Sequence, residues 1–138
     1  DVALVSNADG VHLGKEDISI KEARKLLGRN KIIGGTAHSL AEAKKCEKDG
    51  ADYIGYGHIY PTKTKYKPEK PKGTEQLKLI VSKTCIPVIA IGGISPANIE
   101  DVMKAGAHGA AVVGSVLKSS DPLNTLRSLR KKIYDRKK

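Results

Sequence analysis

The sequence predicts an α/β fold built on a parallel β-sheet. Five short runs rich in Val, Ile, Ala and Gly recur along the 138 residues, and longer stretches with the apolar spacing of amphipathic helices alternate with them. The runs start about 20 to 35 residues apart, which is the spacing that a strand, a crossover helix and the next parallel strand require. The predicted strands cover residues 11–13, 31–36, 53–57, 87–92 and 110–114.

Capping signals place the starts of the helices between these strands. Two segments, which begin at Ser19 and Ser39, have the capping-box form, in which a serine and a glutamate three residues later satisfy each other's backbone N–H groups. Two other helices are predicted to start where a capping residue precedes a proline, at Ser95-Pro96 and at Asp121-Pro122.

Glycines mark the ends of the predicted helices. Gly50 and Gly106 each stand just before a strand, and Gly10 repeats this pattern more loosely, which predicts an earlier helix over residues 1–8. The alternation gives a parallel sheet that is either open and doubly wound or closed as a barrel, and composition does not choose between them. Five strands are too few for a complete eight-stranded barrel.

Length and composition predict one domain over residues 1–138. A chain of this length buries enough surface for one hydrophobic core, and the absence of Phe and Trp makes that core aliphatic. Cys46 and Cys85 are isolated and lack metal-site spacing, which favours a reducing compartment. No apolar run approaches the roughly 18 residues of a membrane span, so we expect a cytoplasmic protein with no membrane partner.

The chain is strongly basic, and its charge raises the question of a polyanionic partner. It has 25 Lys and Arg against 15 Asp and Glu, a formal net charge of +10. Many of the cations lie on predicted helix faces and in the terminal run, where solvent exposure explains them. We therefore expect no nucleic-acid partner, and a general attraction for phosphorylated small molecules remains.

The loops that follow the last two strands are glycine-rich. Gly92-Gly93 and Gly114-Ser115 let backbone N–H groups approach anionic oxygens, and the helix after each loop directs its positive end there. In barrels, the loops after the last two strands often form one phosphate site. A pair of tight turns is the alternative interpretation.

The loop after the third strand is rich in hydrogen-bond donors. Residues 62–65, with the sequence TKTK, supply two hydroxyl groups and two ammonium groups directly after Pro61, which restricts the backbone. Such a loop suits an anionic oxygen cluster. A polar surface loop is the alternative, because further lysines follow.

Asp17 and the four histidines are the remaining candidates for chemistry. Asp17 lies just past a strand end, where a carboxylate can hold Mg²⁺, although a capping role is the alternative. His38, at a strand end, could act as an acid or base, or could orient its loop. His12 is expected in the core, His58 on a pocket wall and His108 in a turn.

Five segments of the chain form a pattern together: residues 10–17 (GVHLGKED), 36–39 (TAHS), 50–55 (GADYIG), 60–65 (YPTKTK) and 90–94 (AIGGI). These segments resemble the family of thiamine-phosphate synthases and their thiazole tautomerase relatives. The match follows the order of the chain over nearly its whole length, and the Pro-Thr-x-Thr-Lys loop is the part that separates synthases from tautomerases.

This resemblance implies a TIM (β/α)8 barrel enzyme of thiamine biosynthesis. Such an enzyme joins a pyrimidine diphosphate to a thiazole phosphate, with or without a carboxylate on the thiazole, and releases pyrophosphate with the help of Mg²⁺. The carbon–oxygen bond breaks first, and the thiazole nitrogen captures the pyrimidine cation. Neutralisation of charge on the departing diphosphate matters more for this chemistry than a strong base.

The resemblance also implies roles for individual residues. Asp17 matches a Mg²⁺ ligand, Lys65 matches a catalytic contact to the diphosphate, and Thr36 matches a catalytic position near the pyrimidine. Lys63 lies in the same substrate-binding loop as Lys65. The positions that match the thiazole phosphate site are Thr62, Thr64, Gly93, Val113 and Gly114.

Departures from the family pattern qualify this assignment. Thr36 stands where Ser is usual, Lys15 where Gln is usual, and Gly114 where Ser is frequent, although Ser115 could add a hydroxyl group. The first three βα units of the family have no counterpart, so we expect an N-terminally truncated barrel. We also expect no activity unless a homo-oligomer or an N-terminal fragment completes the site.

Two other functions remain open. A thiazole tautomerase-like isomerase would use His38 as its acid and base, which leaves the Thr62-Lys63-Thr64-Lys65 loop without a clear purpose. The other alternative is a non-catalytic phosphate-binding fragment.

Overall fold

Five parallel strands form one sheet in the computed structural model, which describes residues 1–64 and 68–134. Their order in the sheet, β1-β2-β3-β4-β5, is their order in the chain. Each crossover therefore moves in the same direction, as in a barrel, whereas a doubly wound sheet reverses. The strands are β1 Gly10–Leu13, β2 Ile32–Ala37, β3 Tyr53–Gly57, β4 Val88–Ile91 and β5 Gly109–Ala111.

The helices alternate with these strands as the sequence predicts. Ser19 forms both halves of its capping box with Glu22, and Asp121 accepts a hydrogen bond from the N–H of Asn124 at 2.9 Å. Within residues 1–64 and 68–134, every helix is too short or too polar to cross a membrane. The helices are α1 Val2–Val5, α2 Ile20–Leu27, α3 Leu40–Lys48, α4 Gly73–Lys83, α5 Ile99–Lys104, α6 Gly114–Leu117 and α7 Pro122–Tyr134.

Several predicted boundaries are wrong. The first helix is shorter than residues 1–8, because Asn7 has a φ of 49° and leaves the helical conformation. The fifth helix begins at Ile99 rather than at Pro96, because the side chain of Asn98 accepts the N–H of Ser95 at 2.8 Å and closes a separate turn first. The last two strands end earlier than predicted, at Ile91 and Ala111.

The two faces of the sheet differ in what covers them. One face packs against the helices and contains Ile33, Ile54 and Val88, each fully buried. The opposite face, which we call the open face, carries Thr36 and Tyr53, and with them apolar side chains that remain exposed. Those side chains are Ile32 at 52% and Ile91 at 43% exposure.

Arg24 of α2 ties together the amino ends of the strands. Its guanidinium group donates to three backbone carbonyls and to the carboxylate of Asp52 at 2.6 Å, and this carboxylate also accepts the N–H of Ile33 at 2.7 Å. Partial burial would raise the pKa of Asp52, but these two donors outweigh it and hold the pKa below its ordinary value. The carbonyls belong to Gly28, Lys31 and Gly50, at 3.0, 2.6 and 3.0 Å.

Replacing Arg24 with alanine is expected to lower the free energy of unfolding by about 1–3 kcal/mol, because the three carbonyls lose this donor and the Asp52 carboxylate keeps only the N–H of Ile33. Urea denaturation measures this effect. Lys21→Ala is the control, since the exposed Lys21 side chain makes one ion pair, at 3.6 Å to Asp49, and Asp49 keeps Lys45 as a second partner. The part of this stabilisation that comes from the ionised Asp52 carboxylate is present above its ordinary pKa of 3.8, and it is lost as the pH falls through the lower pKa of the folded state. Equal midpoints for both variants would contradict this role for Arg24.

Candidate functional site

The loops that follow β3, β4 and β5 contact one another at the carboxyl edge of the sheet. A Cβ atom at Gly93 would lie 2.5 Å from the carbonyl oxygen of Pro61, and one at Gly114 would lie 2.9 Å from Oγ1 of Thr64. The N–H of Thr64 donates to Oγ1 of Thr62 at 3.3 Å. The structure therefore brings together four of the residues predicted to bind phosphate: Thr62, Thr64, Gly93 and Gly114.

The loop after β3 that carries Thr62 and Thr64, which we call the threonine loop, projects from a firmly bonded base. The N–H groups of Ile59 and Tyr60 donate to the carbonyl of the last residue of β4 and to the carbonyl of Gly92 after it, at 2.9 and 3.1 Å. Where the chain returns, Lys72 N donates to His58 O at 2.9 Å and Gly73 N to Ile59 O at 3.0 Å. Both ends of the loop are therefore fixed. Lys65, a predicted catalytic residue, lies outside the described residues.

Asn98 holds the glycine loop that follows β4. Its side-chain amide donates to the carbonyl of Gly93 at 3.0 Å and accepts the N–H of Ser95 at 2.8 Å. Gly92 and Gly93 have φ values of +95° and +68°, which favour glycine. Sequence reasoning missed Asn98, because Ser95-Pro96 was the stronger helix-start signal.

The loop after β5 presents the start of α6. The N–H groups of Gly114 and Ser115 lie in the first turn, where an α-helix leaves its donors without intrahelical partners. The hydroxyl oxygen of Ser115 is buried and has no hydrogen-bond partner within the described part of the chain. Val113 is 49% exposed at the same strand end. This loop therefore adds donors beside Thr64.

Asp17 follows β1 and lies on the far side of the same carboxyl edge of the sheet, which we call the rim. Its carboxylate accepts the N–H of Gly14 at 2.6 Å and closes the loop after β1, whereas Ser19 is the residue that caps α2. Within residues 1–64 and 68–134, no three metal-binding side chains cluster. Mg²⁺ usually takes one or two carboxylates and fills its shell with waters and substrate phosphates. A single exposed carboxylate fits that requirement as one ligand of a substrate-bound ion.

His12 is not a core residue, which corrects the sequence prediction. It lies on the open face, where Nε2 is 2.9 Å from Oγ1 of Thr36 and Nδ1 is 3.0 Å from the hydroxyl of Tyr53. Partial burial lowers the pKa of His12, and the negative charge of Asp17 opposes that shift. His12 and Asp17 both line an open groove of about 750 Å³ between α1, β1 and α2.

His38 is oriented by the neighbouring strand. Its Nδ1 lies 2.7 Å from the carbonyl oxygen of Gly57. A carbonyl only accepts, so Nδ1 carries the hydrogen and Nε2 of the neutral ring keeps its lone pair. This bond supports the predicted loop-orienting role and leaves Nε2 as the ring atom available for proton exchange.

The predicted site residues form two groups on one rim. Asp17 follows β1, whereas Gly93 follows β4, and two strands lie between them. Three steps of about 4.8 Å separate the two strands along the sheet, or about 14 Å. Thr36, on β2, lies between the groups. The arrangement suits two ligands side by side, one near Asp17 and Thr36 and one at the glycine loops.

Sequence comparison matches the chain to one protein family. The family model for thiamine monophosphate synthase matches residues 1–116. The thiamine-phosphate synthase of Chlorobium phaeobacteroides is 46% identical over 129 residues, which cover 94% of this chain and 63% of the relative. The thiamine-phosphate synthase of Chloroflexus aurantiacus is 48% identical over 130 residues, which cover 94% of this chain and 60% of that relative.

Structural comparison gives the same family and a wider fold group. Thiamine phosphate pyrophosphorylase from Pyrococcus furiosus superimposes with a TM-score of 0.87 at 42% identity, covering 97% of this chain and 63% of that protein. A 3-hexulose-6-phosphate synthase matches with a TM-score of 0.72 at 23% identity, over 96% of this chain and 66% of that one. This second likeness shows the fold alone.

These findings confirm the predicted fold class, a (β/α)-barrel-type fold with parallel strands in sequential order. The chain spans about three fifths of the length of the curated relatives described above, 63% and 60%. The chain belongs to the thiamine monophosphate synthase family.

Proposed function

We propose that the protein acts in thiamine biosynthesis as a thiamine-phosphate synthase, which couples a pyrimidine diphosphate to a thiazole phosphate and releases pyrophosphate. The observation that carries this proposal is the contact of the threonine loop with both glycine loops. Oγ1 of Thr64 approaches the Cβ position of Gly114 to 2.9 Å in a chain of this family.

The glycine loops and the threonine loop bind the thiazole phosphate in this proposal. Thr62 and Thr64 supply hydroxyl donors from a loop with a fixed base. Gly93 and Gly114 let backbone N–H groups reach the phosphate oxygens, and Val113 lies beside them at the strand end. Hydroxyl and N–H donors of this kind are the usual phosphate ligands at strand-end loops.

The pyrimidine diphosphate binds toward Asp17 and Thr36. Asp17 would hold Mg²⁺ together with waters and the diphosphate, and the bound ion would neutralise charge on the leaving group. Lys65 and Lys63 contribute positive charge from the threonine loop. Thr36 contacts the pyrimidine, and the thiazole nitrogen attacks its cation after the carbon–oxygen bond breaks.

Coverage of the open face belongs to the same proposal. Ile32 and Ile91 are exposed there, and β1 and β5 each have one neighbouring strand in the sheet. We propose that further polypeptide, from this chain or from a second copy, covers them.

Cys46 and Cys85 are free thiols, which supports a cytoplasmic location.

The direct test incubates the purified protein with Mg²⁺ and both substrates, and follows pyrophosphate and thiamine phosphate together. Product that disappears in Asp17→Ala and Lys65→Ala would support the synthase. A parallel reaction adds a fragment with the N-terminal two fifths of a relative, and product that appears only then would support a site completed by further polypeptide. Phosphate binding without product in either reaction would instead support the non-catalytic alternative.

His38 supports a second candidate, the thiazole tautomerase, because its oriented ring leaves Nε2 available for proton exchange. His38→Asn separates the two enzymes. Isomerisation of the thiazole should collapse in this variant, whereas coupling should largely persist.

Replacing Asp17 with asparagine is expected to raise the Mg²⁺ concentration for half-maximal pyrophosphate binding by about tenfold, since it removes a carboxylate ligand worth about 1.4 kcal/mol. Calorimetric titration of pyrophosphate at several Mg²⁺ concentrations measures this without turnover. Glu16→Gln is the matched control, because it makes the same charge change in the same loop. The same increase in both variants would remove Asp17 as a ligand.

A further inference from the structure

Three polar side chains on adjacent strands form a continuous hydrogen-bonded chain on the open face. His12 of β1 lies in the middle, with Nε2 2.9 Å from Oγ1 of Thr36 on β2 and Nδ1 3.0 Å from the hydroxyl of Tyr53 on β3. The His12 and Tyr53 rings lie 5.4 Å apart at an angle of 33°. The His12 ring, which is held by Tyr53 on its other side, therefore fixes the position of the Thr36 hydroxyl.

Two glycines give these rings their space. A Cβ atom at Gly34 would overlap the ring of Tyr53, and one at Gly55 would lie 2.8 Å from Cε1 of His12. Glycine inside a strand weakens that strand, so its presence there often marks a close approach. The sheet therefore accommodates both rings against its backbone, and the geometry of the cluster follows from the strands themselves.

The chemistry of the three groups favours one placement of their hydrogens. A phenol is more acidic than an aliphatic hydroxyl and is the stronger hydrogen-bond donor, which favours donation from Tyr53 to Nδ1 of neutral His12. The hydrogen of the imidazole then stands on Nε2, which donates to Oγ1 of Thr36. The hydroxyl hydrogen of Thr36 remains for a ligand. In the opposite tautomer, Thr36 would donate that hydrogen to His12 and would offer only its oxygen lone pairs to a ligand.

We propose that His12 and Tyr53 are positioning residues that hold the Thr36 hydroxyl as a donor, so that the open face recognises an acceptor nitrogen of a heteroaromatic ring. The identity of that ring as the pyrimidine rests on the proposed function. The orientation of Thr36 rests on the hydrogen bonds of the three side chains. Thr36 contacts the ligand, whereas His12 and Tyr53 act through it.

The first test needs no ligand. Nitrogen NMR of histidine-labelled protein, with the His12 signals assigned by their loss in His12→Gln, reports which ring nitrogen carries the hydrogen. We expect the Nε2–H tautomer at a pH where the ring is neutral, and a loss of that preference in Tyr53→Phe. An Nδ1–H tautomer in the unsubstituted protein would overturn the proposal.

The second test measures binding of the pyrimidine diphosphate by calorimetry. His12→Leu is expected to weaken binding about tenfold, and His12→Gln to restore most of it by supplying an amide donor toward Thr36. Thr36→Val should lower the affinity by about the same factor as His12→Leu. The variant with both substitutions should lose no more affinity than either single variant. Binding of the thiazole phosphate should not change in any variant. Additive losses, or full affinity in His12→Leu, would overturn the proposal.

The two tests separate failure of the positioning role from failure of the proposed function. If the unsubstituted protein, with and without an added N-terminal fragment of a relative, binds no pyrimidine diphosphate, the proposed function and the ligand assigned here are both overturned. The NMR result then decides the orientation of Thr36 by itself. Pyrimidine binding that His12→Leu leaves unchanged overturns the positioning role alone.

Discussion

Replacing Gly93 with alanine is expected to weaken binding of the thiazole phosphate by about 100-fold, or about 2.7 kcal/mol. Gly93 has a φ of +68°, which costs an alanine roughly 1–2 kcal/mol. Its Cβ atom would also lie 2.5 Å from the carbonyl oxygen of Pro61 and 2.7 Å from Cβ of Tyr60. Backbone atoms cannot rotate away, so the threonine loop must move from the glycine loop. Calorimetry with the thiazole phosphate measures the loss.

Gly28→Ala is the matched control for this prediction. Gly28 has a φ of +73°, but a Cβ atom there would meet nothing within 4 Å, and the residue ends α2 far from the rim. The control therefore places an alanine at a similarly positive φ without the collision. We expect lower stability and unchanged phosphate affinity. If Gly93→Ala also kept full affinity, the contact between the two loops would not be part of the phosphate site.

Replacing Ile54 with alanine is expected to lower the free energy of unfolding by about 2–5 kcal/mol, because it removes buried methyl groups and leaves a cavity. Ile54 is fully buried on the central strand, between the sheet and its helices. Domains of this size are commonly stable by only about 5–15 kcal/mol. The variant should therefore lose a large part of its resistance to urea.

Ile32→Ala is the control, since it makes the same chemical change on the same sheet. Ile32 is 52% exposed on the open face, so its loss should cost much less. Urea denaturation of both variants at one protein concentration gives the comparison. Equal costs would mean that Ile32 is buried in solution, and would point to an occupant of the open face.

Most of the fold follows from local signals in the sequence. The capping serines at positions 19 and 39 start α2 and α3, because a serine side chain satisfies backbone donors wherever the helix begins. The start of α5 does not follow, because Asn98 binds the backbone of Ser95 and shifts the helix by one turn. Such side-chain bonds depend on three-dimensional geometry, and a capping pattern does not reveal them.

The candidate site divides in the same way. The glycine loops and the threonine loop are recognisable in the sequence, because phosphate binding needs small residues and hydroxyl groups at strand ends. The place of His12 is not recognisable in the sequence. Alternation along a strand shows that its two faces differ, but it does not show which face the helices cover. Its partners Thr36 and Tyr53 come from strands that are distant in sequence and adjacent in space.

The Arg24 cluster lies at the amino ends of the strands, opposite the loops that form the candidate site. Its bonds join the backbone before β2 and before β3, so none of them depends on the residues of the rim. The sequences of the rim loops can therefore change in evolution without loss of the stabilisation that the Arg24 contacts provide. The same division makes the chain a scaffold for protein engineering, in which new ligand preferences are introduced at one end while the other end is left untouched.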